Sequence, residues 1–296
     1  MFKFHHYQLV CTERGLRYFP SGLRDGVLVE LDSCWGEWAP MAGIHDHSVS
    51  DVINQLDRIK AKKIIWPVSS PAEMADWLKS FPYPASYVLS MMIYHGRIQK
   101  KARLAPPIKP SVLVLGDAEA CIDRGYRCLK IKVGSTDIKR DIDLIKTIAM
   151  RAGKQIKLRL DANRKYSYQE ALSLWLAVLD LNIEYFEEPS YELDRLELLA
   201  DRGMPIALDE SFHEGDSLEL LVRSKINYLV IKPSRFSSVY QIMMIAESCK
   251  KQDIQLIFSP CFESDFSHMI SAYLIDELGF NDNFHGTFDQ DFFIKS

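Results

Sequence analysis

Four successive apolar runs in this sequence end on a charged residue. KLRLD ends on Asp161, IEYFEE on Glu187 and its neighbour, IALDE on Asp209 and the residue after it, and NYLVIK on Lys232. A fifth run before them, CLKIKV over 128–133, carries Lys130 and Lys132. One charge at a strand end is ordinarily the solvated edge of a loop, but four in succession make a pattern. Asp161, Glu187 and Asp209 are three carboxylates, which repel one another at close range unless a cation neutralises them or lysines pair with them. All-oxygen ligation without His or Cys favours a hard ion, Mg2+ or Mn2+, over zinc. Lys130 and Lys132 stand two apart on a strand and so point to one face. Like charges that close lower each other's pKa, which would leave one lysine usable as a neutral base. Lys232, from a strand further round, would face them. The chemistry that needs this set is proton abstraction α to a carboxylate. A metal holds the substrate carboxylate, one lysine takes the α-proton, and the other stabilises the developing charge or acts as a second acid or base.

Such groups need a scaffold that delivers strand ends to one mouth. Short apolar runs recur at 112–115, 128–133, 157–161, 183–188, 206–210, 227–232 and 255–259, with a further candidate strand at 283–288. Amphipathic stretches lie between most of them, for example 137–152, 167–180 and 237–250. This alternation implies parallel βαβ units, and their number is that of a closed (β/α)8-type barrel, whose chemistry sits at the C-terminal ends of the strands. An open doubly wound sheet is disfavoured because no GxGxxG follows the first strand. Inside a barrel two lysines are expensive without anionic partners. Before residue 104 the pattern is mixed. Strands are expected at 2–12 and 26–32, and helices at 51–63, 71–81 and 86–98, the last opened by Ser86 as N-cap. The Pro-rich APPIKP at 105–110 marks the joint. The expected domains are therefore an α+β unit over 1–104 and the barrel over 105–296.

Composition excludes several classes of function. The 296 residues are 47% apolar and 26% charged, with a net charge of −4, so there is no electrostatic footprint for nucleic acid or an anionic membrane. No apolar run approaches the length of a spanning helix, and MFKFHHYQLV does not read as a signal peptide, which implies a cytoplasmic protein. The six cysteines form no CxxC pair and read as reduced thiols. The HDH at 45–47 reads as a solvated turn rather than a metal site. Nothing in the pattern sets an oligomeric state.

The motifs KIKVG (130–134), RLDANR (159–164), EEP (187–189), LDES (208–211) and VIKPS (230–234) resemble the enolase superfamily, in its muconate-cycloisomerase-like subgroup. That resemblance implies a modified (β/α)7β TIM barrel with an N-terminal α+β capping domain and a short C-terminal segment closing onto the cap. Within the subgroup, CWGEWAPMAGI (34–44), RLDANR and SPCFES (259–264) are similar to the o-succinylbenzoate synthase family. The resemblance implies that Asp161, Glu187 and Asp209 ligate Mg2+, with Mn2+ as a possible substitute. It further implies Lys132 as base, Lys130 as its electrostatic neighbour and Lys232 as a cation over the opposite face of the enediolate. Arg159, Ser259 and backbone near Gly286 would contact the succinyl tail of a small carboxylate substrate. Loops around 16–22 and 35–44 would close the mouth. The implied reaction is syn dehydration of a cyclohexadiene carboxylate to o-succinylbenzoate, in menaquinone biosynthesis. Dipeptide epimerases and N-succinylamino-acid racemases share the same lysines and carboxylates, and Asp289-Gln290-Asp291 resembles the epimerases' DxD, so that reaction stays open beside the first. A catalytically silent barrel should have lost one of the six charges, and none is missing.

Overall fold

The structure is a computed structural model that describes residues 1–59, 70–101, 104–135, 137–215, 225–286 and 292–294. Residues 60–63 of the first expected helix, and Asp289 and Asp291, lie outside that set. Strands β1 (Lys3–Val10), β2 (Leu23–Leu31) and β3 (Cys34–Trp38) form an antiparallel sheet in that order. Helices α1 (Val49–Ile59), α2 (Pro71–Leu78) and α3 (Ala85–Gln99) accompany it. Glycine allows β3 to touch α3, because a Cβ on Gly36 would lie 2.5 Å from the Val88 carbonyl oxygen. Helix α2 starts at a capping box in which Ser70 and Glu73 satisfy each other's amides. Helix α3 corrects one expectation. Its N-cap position is Pro84, and Ser86 is buried in the first turn with no hydrogen bond to its hydroxyl.

Eight parallel strands follow: β4 (Lys109–Val114), β5 (Cys128–Lys132), β6 (Lys157–Asp161), β7 (Ile183–Glu187), β8 (Ile206–Leu208), β9 (Tyr228–Ile231), β10 (Gln255–Phe258) and β11 (Phe284–Gly286). They pair in the order β10-β9-β8-β7-β6-β5-β4-β11. The two ends of that ladder meet. The Phe258 amide donates to His285 Nδ1 at 3.1 Å, and Gly286 lies so close to Ser259 that a Cβ would sit 3.0 Å from its Cα. The sheet is thus a near-closed barrel. Helices α4 (Ala118–Asp123), α5 (Ile138–Ala152), α6 (Tyr168–Val178), α7 (Leu196–Ala200), α8 (Glu210–Gly215), α9 (Val239–Lys251) and α10 (Asp265–Glu277) lie in the connections. Asp137, Ser167 and Ser238 each accept from the amide three residues on, which caps α5, α6 and α9 at or one residue after the start of the amphipathic stretches expected at 137, 167 and 237.

Alternation along the strands sorts side chains into two environments. Leu129, Ile131, Leu158, Leu160, Phe186 and Leu229 join the large apolar cluster beneath the helices. Burying each contributes about 1.5–3 kcal/mol. Tyr185, Ala207, Val230 and Ile257 form a separate small cluster, as expected for the barrel interior. The residues two further on, Glu187, Asp209 and Lys232 with Asp161 and Lys132, then come to the same mouth.

The small sheet is fastened to this mouth from several sides. Glu37 of β3, 1% exposed, accepts from the Ser264 amide (2.9 Å) and hydroxyl (2.8 Å) and from the Ser267 amide (3.2 Å) and hydroxyl (2.7 Å), and also from the Tyr7 hydroxyl. Arg24 of β2 donates to the carbonyls of Ala39, Pro40, Cys261 and Phe262. Phe293 bridges to Cys11, and the amides of Thr12 and Ile294 pair with the carbonyls of Phe292 and Val10 at 2.9 and 2.8 Å. The six cysteines are free, in keeping with reduced thiols. Among the described residues no helix is long and apolar enough to cross a membrane.

Candidate active site

The structure gathers all six charges at the C-terminal end of the barrel strands. Lys130 lies inside the trio, with its Nζ 2.8 Å from Asp161 Oδ2, 2.8 Å from Glu187 Oε1 and 2.7 Å from Glu187 Oε2. Lys132 Nζ lies 2.7 Å from Asp161 Oδ2 and donates to Asn163 Oδ1. Lys232 donates to Asp209 Oδ2. Three strands separate β5, which carries Lys132, from β9, which precedes Lys232, so the two ammoniums flank the carboxylates from opposite sides.

Electrostatics at this mouth are dominated by burial and by the pairing of opposite charges. Burial opposes the charge on Lys130, yet Asp161 and Glu187 outweigh it and raise its pKa well above the ordinary lysine value. The like-charge effect expected from the KxK spacing therefore does not set the state of Lys130; its carboxylate partners do. Burial also opposes the charge on Lys232, and Asp209 holds it above the usual value. Asp161 is held low by Lys130 and Lys132 against burial, and Asp209 by Lys232. Glu187 goes the other way. Burial, with Asp161 and Asp209 nearby, pushes it up to about 8 despite Lys130.

Those carboxylates suit a hard cation. Asp209 Oδ1 is buried without a hydrogen-bond partner, and Asp161 Oδ2 and Glu187 Oε2 are buried and met only by lysine ammoniums. The donor set is oxygen only, as Mg2+ prefers. With lysines among them, no three His, Cys, Asp or Glu side chains of the described residues form a ready-made metal cage.

Loops after the strands hold the carboxylates by contacts the motifs alone did not disclose. Glu188 takes a positive φ of 45°, and its carboxylate accepts from the amides of Asp209 (2.7 Å) and Ser211 (2.8 Å) and from the Ser211 hydroxyl (2.5 Å). It thereby fixes the turn carrying Asp209, and burial pushes its pKa up to about 7. Asn163, also at positive φ, donates to Glu210 Oε1 at 2.8 Å, while its amide donates to Asp161 Oδ1 at 3.1 Å. The doubled glutamate and the Asp-x-Asn spacing were the available signals for these two. The His213 ring lies tilted by 52° against Phe236 with centroids 4.7 Å apart, and burial pushes its pKa down to about 3.

Above the charges opens a cavity of about 720 Å3. Its floor includes the three lysines, Asp161 and Asp209, and Ser259 and Gly286 line its side. The roof is apolar: Tyr18, Leu28, Met41 and Ile44 come from the small sheet and its loops, and Phe293 and Ile294 from the last described segment. Both expected closing loops therefore contribute, although Leu16 itself is 45% exposed. Arg159 is not brought to the cavity. It is 1% exposed below the mouth, where its Nε donates to Glu184 Oε2 (2.6 Å) and its Nη2 to the Phe284 carbonyl (2.8 Å), with the guanidinium 4.6 Å from the Tyr185 ring centre. A bulge between β6 and β7 explains this, since Leu158 pairs with Ile183 but Arg159 with Tyr185, leaving Glu184 as the extra residue that turns to the arginine. His45, expected in a solvated turn, is instead half-buried and hydrogen-bonded on both ring nitrogens.

Residues 114–289, well over half of the chain, match the profile described as Enolase C-terminal domain-like. L-Ala-D/L-Glu epimerase of Bacillus subtilis (strain 168) is 38% identical over 142 residues, 45% of this chain and 39% of that one. An o-succinylbenzoate synthase of Yersinia enterocolitica is 25% identical over 273 residues, 86% of this chain and 79% of that one. Of the curated relatives matched first, the aligned stretch takes in only 10% to 47% of their own length. Among solved structures, a substrate-liganded L-Ala-D/L-Glu epimerase from Bacillus subtilis superposes with a TM-score of 0.83 at 22% identity, covering 100% of this chain and 91% of that one. An o-succinylbenzoate synthase from Thermosynechococcus elongatus complexed with Mg superposes with a TM-score of 0.76 at 18% identity, covering 100% and 95%. These structures share the fold, a parallel barrel with a smaller antiparallel sheet over its mouth. With that match over residues 114–289, the chain belongs to the enolase C-terminal domain-like family.

Proposed function

We propose that the chain is an o-succinylbenzoate synthase, dehydrating 2-succinyl-6-hydroxy-2,4-cyclohexadiene-1-carboxylate in menaquinone biosynthesis. In this reading residues 105–296 form the catalytic barrel and 1–104 the cap. The observation that carries it is the placement of Lys132 and Lys232 on opposite sides of Asp161, Glu187 and Asp209 beneath a cavity of about 720 Å3. Asp161, Glu187 and Asp209 would hold Mg2+, or Mn2+ in its place, and the bound ion would stabilise negative charge on the substrate carboxylate. Lys132 Nζ takes the α-proton. For this step the Lys132 amine is neutral; Asn163 and Asp161 orient its nitrogen, and Lys130 adds positive charge beside it. Lys232 supplies a cation to the opposite face, and Lys132 returns its proton to the departing hydroxide on the same face. The apolar roof excludes water from the charged intermediate. Ser259 and Gly286, which line the cavity, would meet the succinyl tail, whereas Arg159 stays engaged by Glu184 below it.

The similarity to the synthase of Yersinia runs through cap and barrel alike, which supports this reaction. The two opposed lysines also suit two-base epimerisation, and the similarity to a dipeptide epimerase is higher over a shorter stretch, so a second reading is epimerisation of dipeptides or racemisation of N-succinylamino acids. A spectrophotometric assay with the cyclohexadiene carboxylate, with and without Mg2+, decides. Metal-dependent loss of diene absorbance supports the synthase. Absence of turnover, with deuterium from D2O entering L-Ala-D/L-Glu or an N-succinylamino acid, replaces it with the second reading.

A further inference from the structure

The HDH segment plays no part in the chemistry above, yet its first histidine is built into the site. Met41, Ile44 and His45 form one turn, in which the amides of Ile44 and His45 donate to the Met41 carbonyl at 3.1 and 2.9 Å. The His45 ring folds back over that turn, and its Nδ1 accepts from the Met41 amide at 2.9 Å. A neutral ring accepting at Nδ1 carries its proton on Nε2. Nε2 lies 3.1 Å from Ser234 Oγ, so the ring donates there, and Ser234 in turn donates to Glu263 Oε1 at 2.8 Å. Ser234 is 2% exposed and Glu263 5%. Ser234 follows Lys232 by two residues, and Glu263 lies in the cavity-lining segment after β10. The other Glu263 oxygen accepts from the Cys261 amide at 2.6 Å. Trp38, wholly buried, meets the His45 ring edge-on at 5.0 Å and closes the space behind it.

Met41 and Ile44 are the cavity-lining residues of this turn. We propose that His45 is a positioning residue: through Ser234 and Glu263 it latches the 41–45 turn onto the barrel, and so holds Met41 and Ile44 as the apolar wall against the part of the substrate remote from the reacting carbon. The inference rests on the reading of this cavity as a carboxylate substrate's site. Because His45 reaches neither the carboxylates nor the lysines, losing the latch weakens binding and leaves the chemical step alone.

Two substitutions separate the ring's two nitrogens. His45→Asn keeps an acceptor for the Met41 amide but is too short to reach Ser234, whereas His45→Gln keeps a donor at the Nε2 position. With the cyclohexadiene carboxylate, His45→Asn is expected to raise KM by about tenfold or more with kcat within about twofold, and His45→Gln to stay near wild type. Amide exchange of residues 41–45 in the ligand-free protein should be faster in His45→Asn than in wild type. An unchanged KM in His45→Asn, or kcat falling as far as KM rises, overturns the proposal. Should the wild type turn over none of the substrates, the functional reading fails, and exchange still decides the latch: equal protection of 41–45 in wild type and His45→Asn overturns it.

Discussion

Replacing Glu37 by alanine should cost this protein more stability than almost any other single change outside the barrel core. The Glu37 carboxylate caps α10 from another part of the chain. Ser264 is the N-cap of that helix and Ser267 its third helical residue, and Glu37 accepts from the amides of both. In a capping box the glutamate stands at that third position; here the position is serine, and β3 supplies the carboxylate instead. Alanine would strand two buried amides and three hydroxyl donors. The hydroxyls can rotate toward other acceptors, so the two amides set the scale, at about 1–3 kcal/mol each for a stranded buried donor. The expected loss is about 3–4 kcal/mol in urea unfolding, which for a chain of this size lowers the melting temperature by roughly 5–6 °C. Glu37→Gln keeps one carbonyl but turns an NH2 toward donors on one side, and should lose about 1–2 kcal/mol. A loss below about 1 kcal/mol for Glu37→Ala, or equal losses for the two variants, would refute the capping argument.

Lys132→Ala should abolish turnover of whichever substrate the protein accepts, while the Mg2+-induced rise in melting temperature and the near-ultraviolet circular dichroism persist; retained turnover would remove Lys132 as the base. Gly286→Ala would place a Cβ 3.0 Å from Ser259 Cα and 3.2 Å from the Phe258 carbonyl oxygen, both backbone, so β10 and β11 must part. Overpacking of this kind should cost about 1–3 kcal/mol and lower activity with it, measured by unfolding and by the assay together. His285 donates from Nε2 to the Phe280 carbonyl and accepts the Phe258 amide at Nδ1, and burial pushes its pKa down to about 4. The unfolded chain, with histidine near 6.5, binds more protons between those values, so stability is lost as pH falls from about 6.5 to 4, at up to about 1.4 kcal/mol per pH unit. Urea midpoints across that range should fall less steeply in His285→Gln; parallel curves would show that this ring is not responsible.

The barrel was legible because its strands are short, regularly spaced apolar runs, four of them in succession ending on charges at the mouth. Asp161, Glu187, Asp209 and the three lysines could therefore be placed on one rim before any coordinates. The amphipathic stretch at 167–180 was equally plain, and the capping box that starts α6 there, Ser167 with Glu170, needs no tertiary partner. Features that depend on distant segments were not legible. Strict alternation along β7 points Glu184 outward, and only the bulge against β6 turns it to Arg159 and draws that arginine away from the cavity. His45 reads as one polar residue in a polar loop until Ser234, far along the chain, appears beside it. Ser86 shows the converse limit: a good cap residue yields when the preceding turn already begins the helix at Pro84.

The antiparallel contact between residues 10–12 and 292–294 bears on how this molecule is made. Leu9 and Ile294 both line the cavity, from opposite ends of the synthesised order. In the sequence the strands bearing the lysines and carboxylates follow Tyr18, Leu28, Met41 and Ile44 and precede 292–294, so one part of the cavity wall is completed only when 292–294 docks. Closing so long a loop costs entropy that no local contact offsets, so docking of 292–294 should be among the last and slowest steps of folding. A chain cut before Phe292 would keep the charged mouth and the wall from Tyr18, Leu28, Met41 and Ile44 but lose the wall from Phe293 and Ile294.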